Sequence, residues 1–170
     1  MIGASREQRS CGPKPYNAAR TTGPNGLECA GRREEKHMGA GKDLALLVIR
    51  IASALAFLFH GCAILFGAFG GPGPAGFAGF THTSLTIAYL VGLAQFCGGL
   101  AMLTGIFARI GAVCIVIVMV GAIKMVHLQH GFDIGRGGYE YALTQLLIAI
   151  AILAAGAGKF SLAPGKIRNG

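Results

Sequence analysis

Apolar residues gather along this chain in four long runs separated by polar or glycine-rich breaks, a pattern that predicts helices crossing a hydrocarbon layer. Leu44 to Phe69 is apolar apart from Arg50, Ser53 and His60. A helix of about 26 residues at ~1.5 Å rise crosses a core of ~30 Å with some tilt. The next stretch, Gly70 to Phe80, holds two prolines and five glycines in eleven residues, and is expected to be a connecting loop because neither residue type sustains a helix. Thr83 to Leu103 forms the second predicted span, with Gln95 and a Gly98-Gly99 pair inside it. After a tight turn over Thr104 to Arg109, the third span runs from Ile110 to Val126. His127 to Gly138 reads as a polar loop. The fourth span, Tyr141 to Ala157, is about 17 residues long and reaches across only if Glu140 and Lys159 sit at the two interfaces. The first 37 residues show no apolar period and contain Pro13, Pro15, Gly23, Pro24 and Gly26, so they are expected to be disordered. The predicted fold is therefore all-α: an integral membrane four-helix bundle (38–170) behind a disordered N-terminal tail (1–37).

Composition agrees with that pattern and narrows it. Of 170 residues, 53% are hydrophobic and only 13% charged, with a mean hydropathy of +0.58. A water-soluble domain carries about 25% charged residues. The net charge of +8 describes mostly the N-terminus, since eight of the fifteen Lys and Arg residues precede residue 44. There they mix with Glu28, Glu34 and Glu35 and have no aromatic interleaving beyond Tyr16, so nucleic acid is excluded as a partner. The basic stretch is too long for a signal peptide, and Met38 stands just before the apolar part. Residues 1–37 are thus either an expressed basic tail or the product of a start placed upstream of the true one. Arg32, Arg33, Lys36, Lys42, Arg109, Lys159, Lys166 and Arg168 fall on one side of the expected membrane, against Lys124 and Arg136 on the other. The excess assigns both termini to the cytoplasm.

Ionisable groups inside a span are costly, so each is a candidate for chemistry. Arg50 lies about two turns from the cytoplasmic start of its helix and can snorkel to the headgroups. His60 lies in the outer half of the bilayer, where it is either hydrogen-bonded to a neighbouring helix or holds a ligand. Lys124 and His127, three residues apart, share a helical face, and Glu140 opens the next helix at the same level. These four converge in one of two ways: as simple interfacial pairs, or as a polar pocket that binds a quinone head group and exchanges its protons. Gln95 is expected to lie deeper, outside that pocket, as interhelical glue. Cys62, Cys97 and Cys114 fall in separate spans and Cys11 and Cys29 in the tail, with no CxxC spacing, which disfavours a redox pair or a metal cluster. Haem b is disfavoured because, of His60, His82, His127 and His130, only His60 is clearly within a span.

The residues resemble the DoxX family of small four-span bacterial membrane proteins. The likeness covers roughly Leu44 to Leu162. It rests on Arg50, on Phe59-His60-Gly61 with Leu65-Phe66-Gly67, and on Gln95 with Gly98-Gly99. It continues through Leu103-Thr104-Gly105-Ile106-Phe107-Ala108-Arg109, Val126-His127 with Gly131-Phe132, Gly138-Tyr139-Glu140-Tyr141-Ala142-Leu143 and Gly156-Ala157-Gly158-Lys159-Phe160-Ser161-Leu162. Many relatives have Glu where this chain has Gln95; if that carboxylate moves protons, this protein lacks it. The resemblance implies a bundle in the bacterial cytoplasmic membrane, linked to quinone-coupled oxidoreductases. With no cofactor motif of its own, the chain is expected to work with a redox partner subunit or as a homo-oligomer. In that reading Glu140 and His127 are the catalytic proton donor and acceptor, His60 positions the quinone or quinol head group, and Lys124 stabilises negative charge on it. The alternative is a non-catalytic scaffold, or a bundle handling a small solute, for which the high Gly and Ala content is equally suited.

Overall fold

The computed structural model describes residues 24–162, with side chains from Gly41 onward. Expectations for residues 1–23, including Cys11, for the Cys29 side chain, and for Lys166 and Arg168 lie outside the described residues. Every regular element described is helical. The chain divides after Gly41 into two units, and the functional architecture belongs to the second, Lys42 onward.

Helix α1 spans Pro24–Phe66. From Pro24 to residue 37 the backbone is helical where the sequence pattern suggests disorder; no proline follows Pro24 before residue 72, and Ala, Arg, Glu, Lys and Leu are all good helix formers. Its apolar portion is Gly41–Phe66. Helix α3 (Leu85–Thr104) opens with Ser84, whose side chain accepts from the Ile87 amide, and closes on Gly105 with φ 77°. Helix α4 (Ala108–Ala122) follows, and α5 spans Glu140–Ala155. The apolar part of α1, α3, and α4 with its continuation to His130 are long and apolar enough to cross a membrane. α5 is a shorter apolar helix.

Two elements depart from the pattern-based expectation. The glycine-rich stretch is not a plain loop: after a single 3₁₀ turn at Ala68–Gly70 it folds into helix α2, Gly73–Thr81. Pro72 and Pro74 sit at its first turn, where the missing N–H would have no helical partner anyway. Helix formation also satisfies backbone groups that have little water to bond in a membrane setting. The second departure is at the end of α4, where Ile123–His127 forms one π turn before a 3₁₀ turn at Leu128–His130. The third helix therefore carries His127 within it rather than in a loop.

Small residues set how closely the helices approach. A Cβ on Gly111 of α4 would lie 2.8 Å from the Gly98 carbonyl oxygen of α3, and one on Gly61 of α1 would lie 2.7 Å from the Phe96 amide. The Gly98-Gly99 pair does what its sequence suggests: Gly98 faces α4 and Gly99 faces Ala54 and Leu58 of α1. A hydrogen bond of 2.8 Å from Ser53 Oγ to Gln145 Oε1 joins α1 to α5. Core packing centres on Phe57, Met102, Ile115 and Ile152, all at most 1% exposed. The outer faces remain apolar, with Val48, Leu55, Leu90, Ile117 and Leu147 exposed, as a lipid-facing surface requires.

Arg50 does not snorkel. It is fully buried, and its guanidinium donates to the carbonyls of Met102 (2.9 Å), Leu103 (3.2 Å), Phe160 (3.1 Å) and Ala157. Two of these are unpaired carbonyls at the end of α3 and two follow α5. The α3 pair carries the negative end of that helix's dipole, which supplies part of the cation's counter-charge. At the same end, Asp43 accepts from the Lys159 amide (3.1 Å) and pairs with its ammonium (3.5 Å).

Candidate functional site

Where α3 and α4 touch at Gly98 and Gly111 they are in backbone contact, but toward the opposite end of the bundle they part around a cavity of about 490 Å³. Thr83, Ile87, Val91 and Gln95 line it, one residue per helical turn. α1 contributes Phe57, His60 and Ile64, and α5 contributes Tyr141 and Ala142. The far wall is α4 and its π turn, including Gly121, Ala122, Met125 and His127. Phe77, Phe80 and Thr81 of α2 complete the enclosure. The residue types are mostly apolar, so the few polar groups define what head group the space can take.

Of the four sequence-derived site residues, the structure brings His60 and His127 to this cavity. Lys124 is exposed and is absent from the walls. The π turn is the reason: its wider winding breaks the i,i+3 register that would align Lys124 with His127. Glu140 also stays outside. Its carboxylate accepts from the Ile134 amide at 3.3 Å, tying the start of α5 to the preceding loop. That loop is further closed by Tyr139 N–H to Gly131 O and Glu140 N–H to Phe132 O, both 3.0 Å.

The loop in turn orients His127. Its Nδ1 lies 2.7 Å from the Gly137 carbonyl oxygen. A carbonyl only accepts, so the pairing assigns the proton to Nδ1 and leaves the lone pair of the neutral ring on Nε2. The ring of His60 stands 6.3 Å from that of Tyr141 and 5.5 Å, edge-on, from that of Phe59.

Gln95 is the residue that sequence reasoning misplaced. It is 6% exposed, lines the cavity, and its Oε1 has no hydrogen-bond partner. A buried, unpaired amide oxygen costs about 1–3 kcal/mol, a cost borne at a residue that lines the cavity. Its depth below the helix end suggested a separate location. The stripe Ile87, Val91, Gln95 at spacing four was the available signal, since these positions share one face of α3, and Thr83 continues the same spacing just before it. Gly121 adds a second indication of fit: a Cβ built there meets nothing within 4 Å, so this wall is shaped to leave room.

Among the described residues, no three of His, Cys, Asp and Glu come together as a metal site, and Cys62, Cys97 and Cys114 are free thiols. Compared with known families, residues 45–128 match DoxX. No curated protein and no solved structure matches the chain.

Proposed function

Taking as premise that this chain is a DoxX-family membrane protein across residues 45–128, we propose that it is the membrane component of a quinone-coupled oxidoreductase complex and holds the quinone or quinol head group in the α1–α3–α4–α5 cavity. The observation that carries the reading is the unpaired Gln95 Oε1, buried beside a cavity that also receives His60 and His127. The apolar walls suit a ring with a hydrocarbon tail, and the three polar side chains suit its oxygens. When bound, the head group would supply two-electron chemistry, a quinol passing its two electrons to a partner subunit that carries its own redox centre as its protons leave. His127 Nε2 accepts a proton from the head group; Gln95 and His60 orient it. Glu140 acts at one remove, as a positioning residue holding the loop whose Gly137 carbonyl fixes the His127 ring. Lys124 belongs to the membrane edge rather than to the ligand. The complex resides in the bacterial cytoplasmic membrane with both termini inside, a placement supported by Lys42, Arg109 and Lys159 at one end of the bundle.

The test is extraction of the full-length chain, purified in mild detergent, with quantification of co-purifying quinone. About one molecule per chain is expected, lost in Gln95→Leu and in Gly121→Phe, which fills the space, while helical content is retained. Absence of both quinone and quinol, together with failure of either added form to bind, would overturn the reading in favour of a non-catalytic scaffold.

A further inference from the structure

Resting on the site just proposed, we infer that the cavity selects the reduced, hydroxyl-bearing form of its ligand over the oxidised, carbonyl-bearing form. The argument is an account of where the wall's protons already go. His127 directs its Nδ1 proton to Gly137 O, so the neutral ring offers the ligand only a lone pair. Thr81 spends its single hydroxyl proton on the Phe77 carbonyl at 2.8 Å. In the 2.8 Å contact between the Thr81 and Thr83 hydroxyls, Thr83 is therefore the donor, and its own proton is spent as well. Gln95 Oε1 is a buried acceptor with nothing donating to it.

Three groups on the wall are thus acceptors with no proton left to give: His127 Nε2 and the Thr81 and Thr83 hydroxyl oxygens. Donors remain on the Gln95 amide nitrogen and on the His60 ring. A hydroxyl both donates and accepts, so a hydroquinone satisfies both sets. A quinone carbonyl only accepts, and it leaves the acceptors facing oxygen lone pairs in an apolar enclosure. A ligand that cannot supply the protons a buried site was built to receive is rejected strongly.

The experiment uses the full chain in lipid nanodiscs and three probes sharing one substituted six-membered ring: a short-chain p-benzoquinone, its p-hydroquinone kept reduced, and the p-dimethoxybenzene counterpart, which has no proton to donate. Calorimetric titration should give hydroquinone affinity at least about tenfold above that of the other two. Thr83→Val, which keeps shape and removes an acceptor, should weaken hydroquinone binding while leaving the quinone unchanged. Gly121→Leu should abolish binding of all three. Quinone binding as tightly as hydroquinone would overturn the preference while leaving the site intact. Failure of every probe to bind would overturn the quinone-site reading itself, and the preference with it.

Discussion

Arg50 shows how one side chain can organise the end of a bundle. Its cradle uses two of the sequence motifs at once. Gly105 has φ 77°, and a Cβ there would lie 2.5 Å from Arg50 Nη2, so glycine is required both for the turn and for the space. The segment after α5 brings the Ala157 and Phe160 carbonyls to the same guanidinium, and Leu162 N–H closes onto Thr104 O at 2.9 Å. Arg50→Met should cost about 3–5 kcal/mol, because several carbonyls lose their donor in a buried setting. Arg50→Lys should recover only part, since an ammonium lacks the planar fork that reaches both strands of the cradle. Unfolding titrations in detergent followed by circular dichroism check both values. Nothing about Arg50 in the linear pattern separates a snorkelling cation from a buried one. The partners lie more than fifty residues away, and only the packed helices reveal them.

At the scale of the helices, glycines that look alike in the sequence carry opposite consequences. Gly111 meets the α3 backbone, whereas Gly121, ten residues along the same helix, faces the open cavity. Gly111→Ala should destabilise the bundle by about 1–3 kcal/mol by pushing α3 and α4 apart. Gly121→Ala should be neutral or stabilising by up to about 1 kcal/mol, because alanine is the better helix former and has room. Comparing the two variants in one thermal-unfolding series tests the close approach and the cavity together. The π turn belongs to this scale too. It sets His127 on the cavity wall and Lys124 off it, a distinction that the three-residue spacing obscured. Spacing arguments assume uniform α-helical winding, and one turn at Ile123–His127 departs from it. α2 was hidden for a different reason: its glycine and proline content lowers helix propensity in water, whereas prolines at the first turn and the need to pair backbone groups reverse the outcome here.

Across the whole molecule, the two ends of the bundle differ in character. One gathers Lys42, Asp43, Arg50, Arg109 and Lys159; the other carries the cavity mouth, α2, His127 and the loop through Gly137. With the orientation proposed above, a cysteine introduced at Gly135, in a chain whose own cysteines are replaced by alanine, should react with a membrane-impermeant maleimide added outside intact cells. One introduced at Lys159 should react only after permeabilisation. Reversed labelling would place the cavity mouth on the cytoplasmic side.

The number of apolar segments, their approximate limits and the membrane as their solvent were legible from the chain alone, because hydropathy and length are local properties that a hydrocarbon layer reads directly. His60 and His127 were recognisable for the same reason: a polar side chain in or beside an apolar run stands out without any knowledge of its neighbours. Which helix faces they occupy relative to one another is not local. Gly98 and Gly111 bring α3 and α4 into contact, the cavity beyond that contact has Gln95 on its wall, and the Gly137 carbonyl in the loop tied by Glu140 holds the His127 ring. Burial of Arg50, the unpaired oxygen of Gln95 and the exclusion of Lys124 and Glu140 from the walls all follow from packing between segments distant in sequence, and only the tertiary structure decides them.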